Sequence, residues 1–263
     1  MRSIRVPFSA LVLLCLMSQA APGAVDLYIP SISGNDSPPG FAGAMRLDSV
    51  TVFPNGYAIS KAVDGATSQI GSAVASGTPL GTTDLLLYNT TPPGAQPAAM
   101  IRFPHPFATS AQIGQNLIEN DTFAASAPAL LYMDISGIVG TNGVPDHPNA
   151  IRVDSISITN GSFSIVKPID SASPQIAAAL IAGTVLNSAS LLVYDTSPAQ
   201  QPDDAAVFHN VIVTASQLTA PGGTTEQDTF AFTTITPEPG AETLLIACVG
   251  AVVVRRRKLK GRV

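Results

Sequence analysis

Residues 44–70 read AMRLDSVTVFPNGYAISKAVDGATSQI, and residues 150–176 repeat the pattern as AIRVDSISITNGSFSIVKPIDSASPQI. Extended without a gap to 44–92 and 150–198, the two copies agree at 19 of 49 positions. Their offset of 106 residues exceeds the roughly 20–50 residues of a solenoid repeat and suits a whole small domain. The sequence therefore predicts two copies of one fold.

The composition indicates a globular, mainly β protein. The chain has 263 residues, of which 46% are hydrophobic and 12% charged, with a formal net charge of −5. Gly, Pro, Ser and Thr recur between short runs of Val, Ile and Leu, which is typical of many short strands joined by turns. Because the chain is acidic, we expect no nucleic-acid partner. Cys15 and Cys248 lie in terminal apolar runs, so the region between them contains no disulfide.

Each copy shows strand periodicity followed by one helix. Apolar positions alternate over residues 47–52 and 153–158, which indicates strands with one buried face. The spacing then becomes helical, and in the second copy Ser173 is the predicted N-cap and Gly183 the predicted stop. A helix of about ten residues is not stable alone and must pack on a sheet.

We therefore predict a mainly β fold of two tandem domains, residues 25–127 and 128–236. Each is a small β-barrel or two-sheet domain with one short α-helix. The boundary falls in the Ala/Ser/Pro run FAASAPA, residues 123–129. The sequence DTFA at 121–124 returns at 228–231, so the repeat continues to the end of each domain.

The N-terminus predicts a secretory signal peptide over residues 1–24. Arg2 and Arg5 precede the apolar run 10–17, and the small residues of SQAAPGA follow. The expected cleavage region contains Ala20, Ala21 and Ala24. The Sec translocon and signal peptidase are then expected partners, and the alternative is a buried first helix.

The C-terminus combines three features in order. A Pro-Glu-Pro motif precedes the apolar run 244–254, and a basic cluster follows directly. The predicted sorting residues are Pro237, Glu238, Pro239, Arg255, Arg256 and Arg257. As a helix this run spans about 16 Å, short of the roughly 30 Å hydrocarbon core, so it is a marginal membrane-spanning helix. The basic cluster would keep this end in the cytoplasm.

Residues 237–263 resemble the PEP-CTERM sorting signal. The resemblance implies a bacterial exported protein that an exosortase recognises. It also implies that the C-terminal helix anchors the chain in the inner membrane before processing, and that the protein then reaches the cell surface or an extracellular matrix containing exopolysaccharide. Exosortase and exopolysaccharide are therefore expected partners, and an ordinary C-terminal anchor is the alternative.

The body of each copy resembles the haemolysin-coregulated protein (Hcp) family, the tube-forming proteins of type VI secretion. The resemblance rests on the opening AVDLYI at 24–29, the closing segment 209–235, and a Lys-x-x-Asp-x-x-(Ser/Thr)-x-(Gln/Leu)-(Ile/Leu) motif at 61–70 and 167–176. It implies small β-barrels of two sheets used in ring-shaped oligomers, and three chains would form a pseudo-sixfold ring. Type VI tube subunits need neither a signal peptide nor a membrane tail, and both are predicted here.

The sequence contains no recognisable catalytic or metal-binding motif. The histidines are isolated from one another: His105, His147 and His209. Asp48 and Asp154 recur with the fold, so we interpret them as structural. One Lys-x-x-Asp pair per copy is expected to make local contacts before the helix: Lys61 with Asp64, and Lys167 with Asp170. We expect no catalytic residue, metal, cofactor or enzymatic activity.

The leading hypothesis is an exported, non-catalytic structural or adhesive protein of the envelope or matrix. The first alternative is a carbohydrate-binding β-domain protein, which would need exposed aromatic platforms, although the chain has no Trp and five Tyr. The others are a type VI secretion tube-like protein and an enzyme such as a glycosidase.

Overall fold

The structure, a computed structural model, describes residues 24–36, 38, 40–89, 96–194, 204–220 and 222–237. These residues form sixteen strands and two α-helices in two units. Unit 1 contains β1 (Ala24–Tyr28), β2 (Met45–Leu47), β3 (Ser49–Phe53), β4 (Gly56–Ala62), α1 (Thr67–Ser76), β5 (Thr83–Tyr88), β6 (Ala99–Phe103), β7 (Phe107–Ile113) and β8 (Ile118–Ala124). Unit 2 contains β9 (Leu130–Ile135), β10 (Ile151–Val153), β11 (Ser155–Thr159), β12 (Ser162–Pro168), α2 (Ser173–Ala182), β13 (Val185–Tyr194), β14 (Asp204–Leu218), β15 (Thr225–Ala231) and β16 (Thr234–Pro237).

The predicted mainly β fold with one short helix per copy is confirmed. The strands β2, β3 and β4 and the helix α1 recur as β10, β11, β12 and α2 at the same offset of 106 residues. Neither helix in the described ranges is long and apolar enough to cross a membrane. The apolar C-terminal run and the cleavage residues Ala20 and Ala21 lie outside the described residues, whereas Ala24 is the buried first residue of β1.

Each unit is built from two antiparallel sheets that share a core. In unit 1 the strand orders are β2-β1-β5-β6 and β3-β4-β8-β7. In unit 2 one strand, β14, serves both sheets, because residues 204–212 pair with β13 and residues 212–218 pair with β15. Unit 1 has Pro104 and Pro106 at the corresponding place, and proline cannot donate to a strand ladder, so β6 and β7 are separate strands.

The two units join through the same strand of each copy. β3 pairs antiparallel with β11, so that Thr51 faces Ser157, Val50 faces Ile158 and Val52 faces Ile156. Thr51 Oγ1 donates a hydrogen bond to Ser157 Oγ at 3.1 Å. Thr51 and Ser157 are equivalent positions of the repeat, so a pseudo-twofold axis passes between them. We call this β3–β11 contact the seam.

The seam makes one continuous sheet of the order β10-β9-β13-β14-β15-β12-β11-β3-β4-β8-β7. It is an isologous contact, in which both sides are the same surface. Successive positions of a sixfold ring are related head to tail and use two different surfaces. The two units of one chain therefore do not occupy successive positions of the expected pseudo-sixfold ring. Association of whole chains stays a prediction.

Aromatic side chains fill the middle of each unit in the same arrangement. The trios are Tyr57, Phe103 and Phe123 in unit 1, and Phe163, Phe208 and Phe230 in unit 2. Their ring centroids lie 4.5 to 4.8 Å apart, in the range that favours aromatic pairs. The apolar core is continuous through both units. The chain is thus packed as one body built from two copies.

The start of each helix differs from the N-cap prediction. Ser173 is already helical, and its hydroxyl accepts a hydrogen bond from the backbone N–H of Asp170 at 3.0 Å. Asp170 Oδ1 in turn accepts from the backbone N–H of Ala172 at 3.0 Å. The aspartate therefore holds the turn that leads into the helix, through the N-cap residue Ala172, and the serine reaches back to the aspartate. Gly183 ends the helix as predicted, in the left-handed conformation with φ of 61° that favours glycine.

Candidate functional site

Unit 1 contains a buried lysine where β4 leads into α1. The side chain of Lys61 is fully buried, and its Nζ lies 2.7 Å from Asp64 Oδ1 and within hydrogen-bond distance of Glu119 Oε2. Lys61 Nζ also donates to Thr67 Oγ1 at 3.2 Å, and the Thr67 hydroxyl donates to Glu119. This network joins β4, the start of α1 and β8.

Unit 2 contains the same network at equivalent positions. Lys167 is fully buried, and its Nζ lies 2.6 Å from Asp170 Oδ1 and 2.8 Å from Glu226 Oε1. It also donates to Ser173 Oγ at 3.1 Å. The local contacts predicted between the lysine and aspartate of each copy are therefore present. We call the two arrangements the lysine networks.

A further carboxyl group lies beside each lysine network. Asp121 and Asp228 are buried two residues after the glutamate on the same strand. Burial, with a smaller contribution from Glu119, raises the pKa of Asp121 to about 7. Burial also raises the pKa of Asp228, to about 6, against the lowering effect of the nearby Ser216 hydroxyl.

The distant members of the networks were not predicted from the sequence. Glu119 lies opposite Lys61 in the pairing of β4 with β8, 58 residues along the chain. A signal for them exists, because ENDTFA at 119–124 and EQDTFA at 226–231 share the glutamate, the aspartate and the DTFA sequence. The lysines and glutamates are sealed from solvent and paired with each other. This arrangement connects the start of the helix to β4 and β8, and removing one partner would leave a buried charge without compensation.

The glutamine of the helix motif attaches a loop to each helix. Gln175 Nε2 donates to the carbonyl of Val139 at 3.0 Å, and Gln175 Oε1 accepts from the N–H of Val139 at 3.0 Å. Gln69 makes the same two contacts with Ser33, both at 3.2 Å. The lysine, aspartate, hydroxyl and glutamine positions of the motif, which both copies share, therefore all make contacts within the fold.

The predicted isolated histidines are spread over the fold. His147 Nδ1 lies 2.8 Å from Asp134 Oδ2, and His209 Nε2 lies 2.8 Å from Thr236 Oγ1. His105 lies in the turn between β6 and β7, with φ of 46°. In the described ranges no group of three or more His, Cys, Asp or Glu is arranged to hold a metal ion. Asp48 and Asp154, which we interpreted as structural, are exposed at the bends before β3 and β11.

Part of the chain matches a known family. Residues 132–238 match the family described as "Type VI secretion system effector, Hcp". Unit 2 is Hcp-like. The predicted Hcp resemblance is thus supported over unit 2, and unit 1 shares the order of its elements with this Hcp-like unit. No curated protein matches the chain.

Hcp proteins are among the similar solved structures. They include Hcp1 from Salmonella typhimurium, with 20% identity over 41% of this chain and 84% of that chain and a TM-score of 0.36. A type VI secretion system effector from Yersinia pestis has 22% identity over 40% of this chain and 85% of that chain, with a TM-score of 0.35. The secreted protein Hcp3 from Pseudomonas aeruginosa has 20% identity, 42% and 88% coverage and a TM-score of 0.32.

The last strand of the Hcp-like unit is attached to unit 1. Strand β16 pairs with β14 as far as Pro237, which faces Ala206. Asn89 Nδ2 donates to the carbonyl of Ile235 at 2.8 Å, and Asn89 Oδ1 accepts from the N–H of Ile235. The first residue of the predicted sorting motif is therefore also the last residue of the final strand. Glu238, Pro239 and the arginine cluster lie outside the described residues.

Replacing Asn89 by alanine should weaken this attachment. Two hydrogen bonds to the Ile235 backbone are lost, at about 1 kcal/mol each, so we expect the free energy of unfolding to fall by about 1–2 kcal/mol. Urea titration measures the loss, and hydrogen exchange should become faster at the Ile235 amide. The exposed Asn149 gives a matched control, because Asn149→Ala should change neither quantity measurably. Unchanged exchange at Ile235 in Asn89→Ala would contradict the prediction.

Proposed function

We propose that this chain is an exported, non-catalytic structural protein that presents an Hcp-like pair of units at the cell envelope or in the extracellular matrix. The observation that supports this most directly is that the ionisable residues that recur in both copies have structural contacts. Lys61, Asp64 and Glu119, like their counterparts in unit 2, pair with one another inside the fold. The ionisable residues that the two copies share therefore contribute to the fold.

The export route is proposed from the two ends of the sequence. The predicted signal peptide, residues 1–24, would bring the chain to the Sec translocon and signal peptidase. The Pro-Glu-Pro motif, the apolar run 244–254 and the arginine cluster would then present it to an exosortase. Pro237, the first residue of the proposed sorting motif, is the last residue of β16.

Replacing Arg255, Arg256 and Arg257 by glutamine tests the route in a host that has an exosortase. We expect the unprocessed precursor to accumulate and surface protein to fall several-fold, because the positive charges that orient the apolar run are lost. Immunoblots of surface and membrane fractions measure both forms. A second variant with Lys258, Lys260 and Arg262 replaced by glutamine removes the same charge outside the triplet and should retain more surface protein.

Equal surface levels in both variants and in a host lacking the exosortase would refute the exosortase route. The Hcp family match supports a second candidate, a type VI secretion tube-like protein. In that case export should continue without the exosortase and should stop when the type VI machinery is deleted. The same fractionation therefore separates the two candidates.

A further inference from the structure

Each lysine network contains fewer positive charges than carboxyl groups. In unit 1, Lys61 is surrounded by Asp64, Glu119 and Asp121, and in the described ranges the lysine pairs with the first two. Both oxygens of Asp121 are buried without a hydrogen-bond donor in the structure. A third negative charge here would lie beside Glu119 with no cation of its own. Such a group is far more stable when it carries a proton.

We propose that Asp121 and Asp228 are proton-binding sites that make the stability of the fold depend on pH. The folded protein is most stable when both carboxyl groups carry a proton, and it becomes less stable as they ionise at higher pH. The charged groups that face Asp121 are Lys61 from β4, Asp64 from the start of α1, and Glu119 from its own strand. Those that face Asp228 are Lys167 from β12, Asp170 from the start of α2, and Glu226.

The two sites differ at one position on the adjacent strand. Ser216 of β14 faces Asp228, and Ala111 of β7 occupies the corresponding place opposite Asp121. Both oxygens of Asp228, like those of Asp121, are buried without a hydrogen-bond donor in the structure. The adjacent Ser216 hydroxyl can donate to the carboxylate once it forms, which favours ionisation, so we expect Asp228 to lose its proton more readily than Asp121. The structure thus contains its own matched pair: one site with the hydroxyl and one without.

The direction of the pH effect follows from the raised pKa values. An unfolded aspartate has a pKa of about 3.9, so the folded protein binds these protons more tightly than the unfolded chain does. Their contribution to stability is therefore complete below about pH 4. It is lost as the pH rises through about 6 for Asp228 and about 7 for Asp121. Unit 2 should lose its contribution first.

Thermal unfolding of the full chain in mild detergent, from about pH 5 to about pH 8.5, tests this inference. We expect Tm to fall by at least about 4 °C over this range. Asp121→Asn and Asp228→Asn replace each protonated acid by a neutral group of the same size. Each variant should remove its own part of the fall. The double variant should keep only the smaller fall due to Asp26, whose pKa burial raises to about 6.

Two further variants add a hydroxyl at the Asp121 site and remove it at the Asp228 site. Carbon-13 NMR then measures the titration midpoint of each aspartate carboxyl group. Ala111→Ser should move the Asp121 midpoint from about 7 towards 6, and Ser216→Ala should move the Asp228 midpoint from about 6 upwards. They serve as the test even where an asparagine variant fails to fold. Midpoints of both aspartates near 4, or a pH profile of the double asparagine variant equal to that of the parent chain, would overturn the proposal.

Discussion

Replacing Lys61 by methionine is expected to lower the free energy of unfolding by about 3–5 kcal/mol. The change leaves Asp64 and Glu119 inside the fold without the cation that pairs with both in the structure. Methionine is also a flexible, unbranched side chain, so it fills much of the space occupied by the lysine stem. The fall in the free energy of unfolding therefore comes more from the missing charge than from a cavity. Urea titration of the full chain at neutral pH measures it.

Two controls separate the charge from the packing. Adding Glu119→Gln to Lys61→Met removes one of the uncompensated carboxylates and should restore part of the lost stability. Arg152→Met removes a charge from an exposed side chain and should change the free energy of unfolding by less than about 0.5 kcal/mol. If Lys61→Met behaved like Arg152→Met, the lysine network would not support the helix start as described.

The internal repeat made the architecture predictable, because the same strand-then-helix pattern occurs twice at a fixed offset. The contact between Lys61 and Asp64 was also predictable, since the two residues are three apart in the sequence. Glu119 is different, because its position depends on the register between β4 and β8 across 58 residues. The alternation within β4 shows which of its side chains are buried, but it does not identify the distant strand that pairs with β4.

The seam was not predicted, for a related reason. Alternation in SVTVF and SISIT shows which side chains point into the core, and both strands have the expected buried face. The choice of partner strand is made by backbone groups at the sheet edge, which are the same for every residue except proline. The Hcp resemblance favoured a ring contact between units, whereas the chain pairs β3 with β11 about a pseudo-twofold axis.

Replacing Ile156 by aspartate should break the seam and lower the free energy of unfolding by about 4 kcal/mol or more. Ile156 is fully buried and faces Val52 of the other unit, so the carboxylate would lie between the units without a cation. Val50 is the equivalent position of the first copy and faces Ile158. The pseudo-twofold symmetry therefore predicts a similar loss for Val50→Asp, measured by the same urea titration.

Fluorescence energy transfer between the units shows whether the loss comes from the seam. Dyes on cysteines placed at the exposed Ser72 of α1 and Ala178 of α2, with Cys15 and Cys248 replaced by serine, report the separation of the units. Transfer should fall in Ile156→Asp at lower urea than in the parent chain, and stay unchanged in Thr214→Asp, a substitution at an exposed position of β14. In an isologous contact the two strands are equivalent, so Ile156→Asp and Val50→Asp should lower the free energy of unfolding by similar amounts. A large loss of stability in one variant and parent-like stability in the other would contradict the isologous seam.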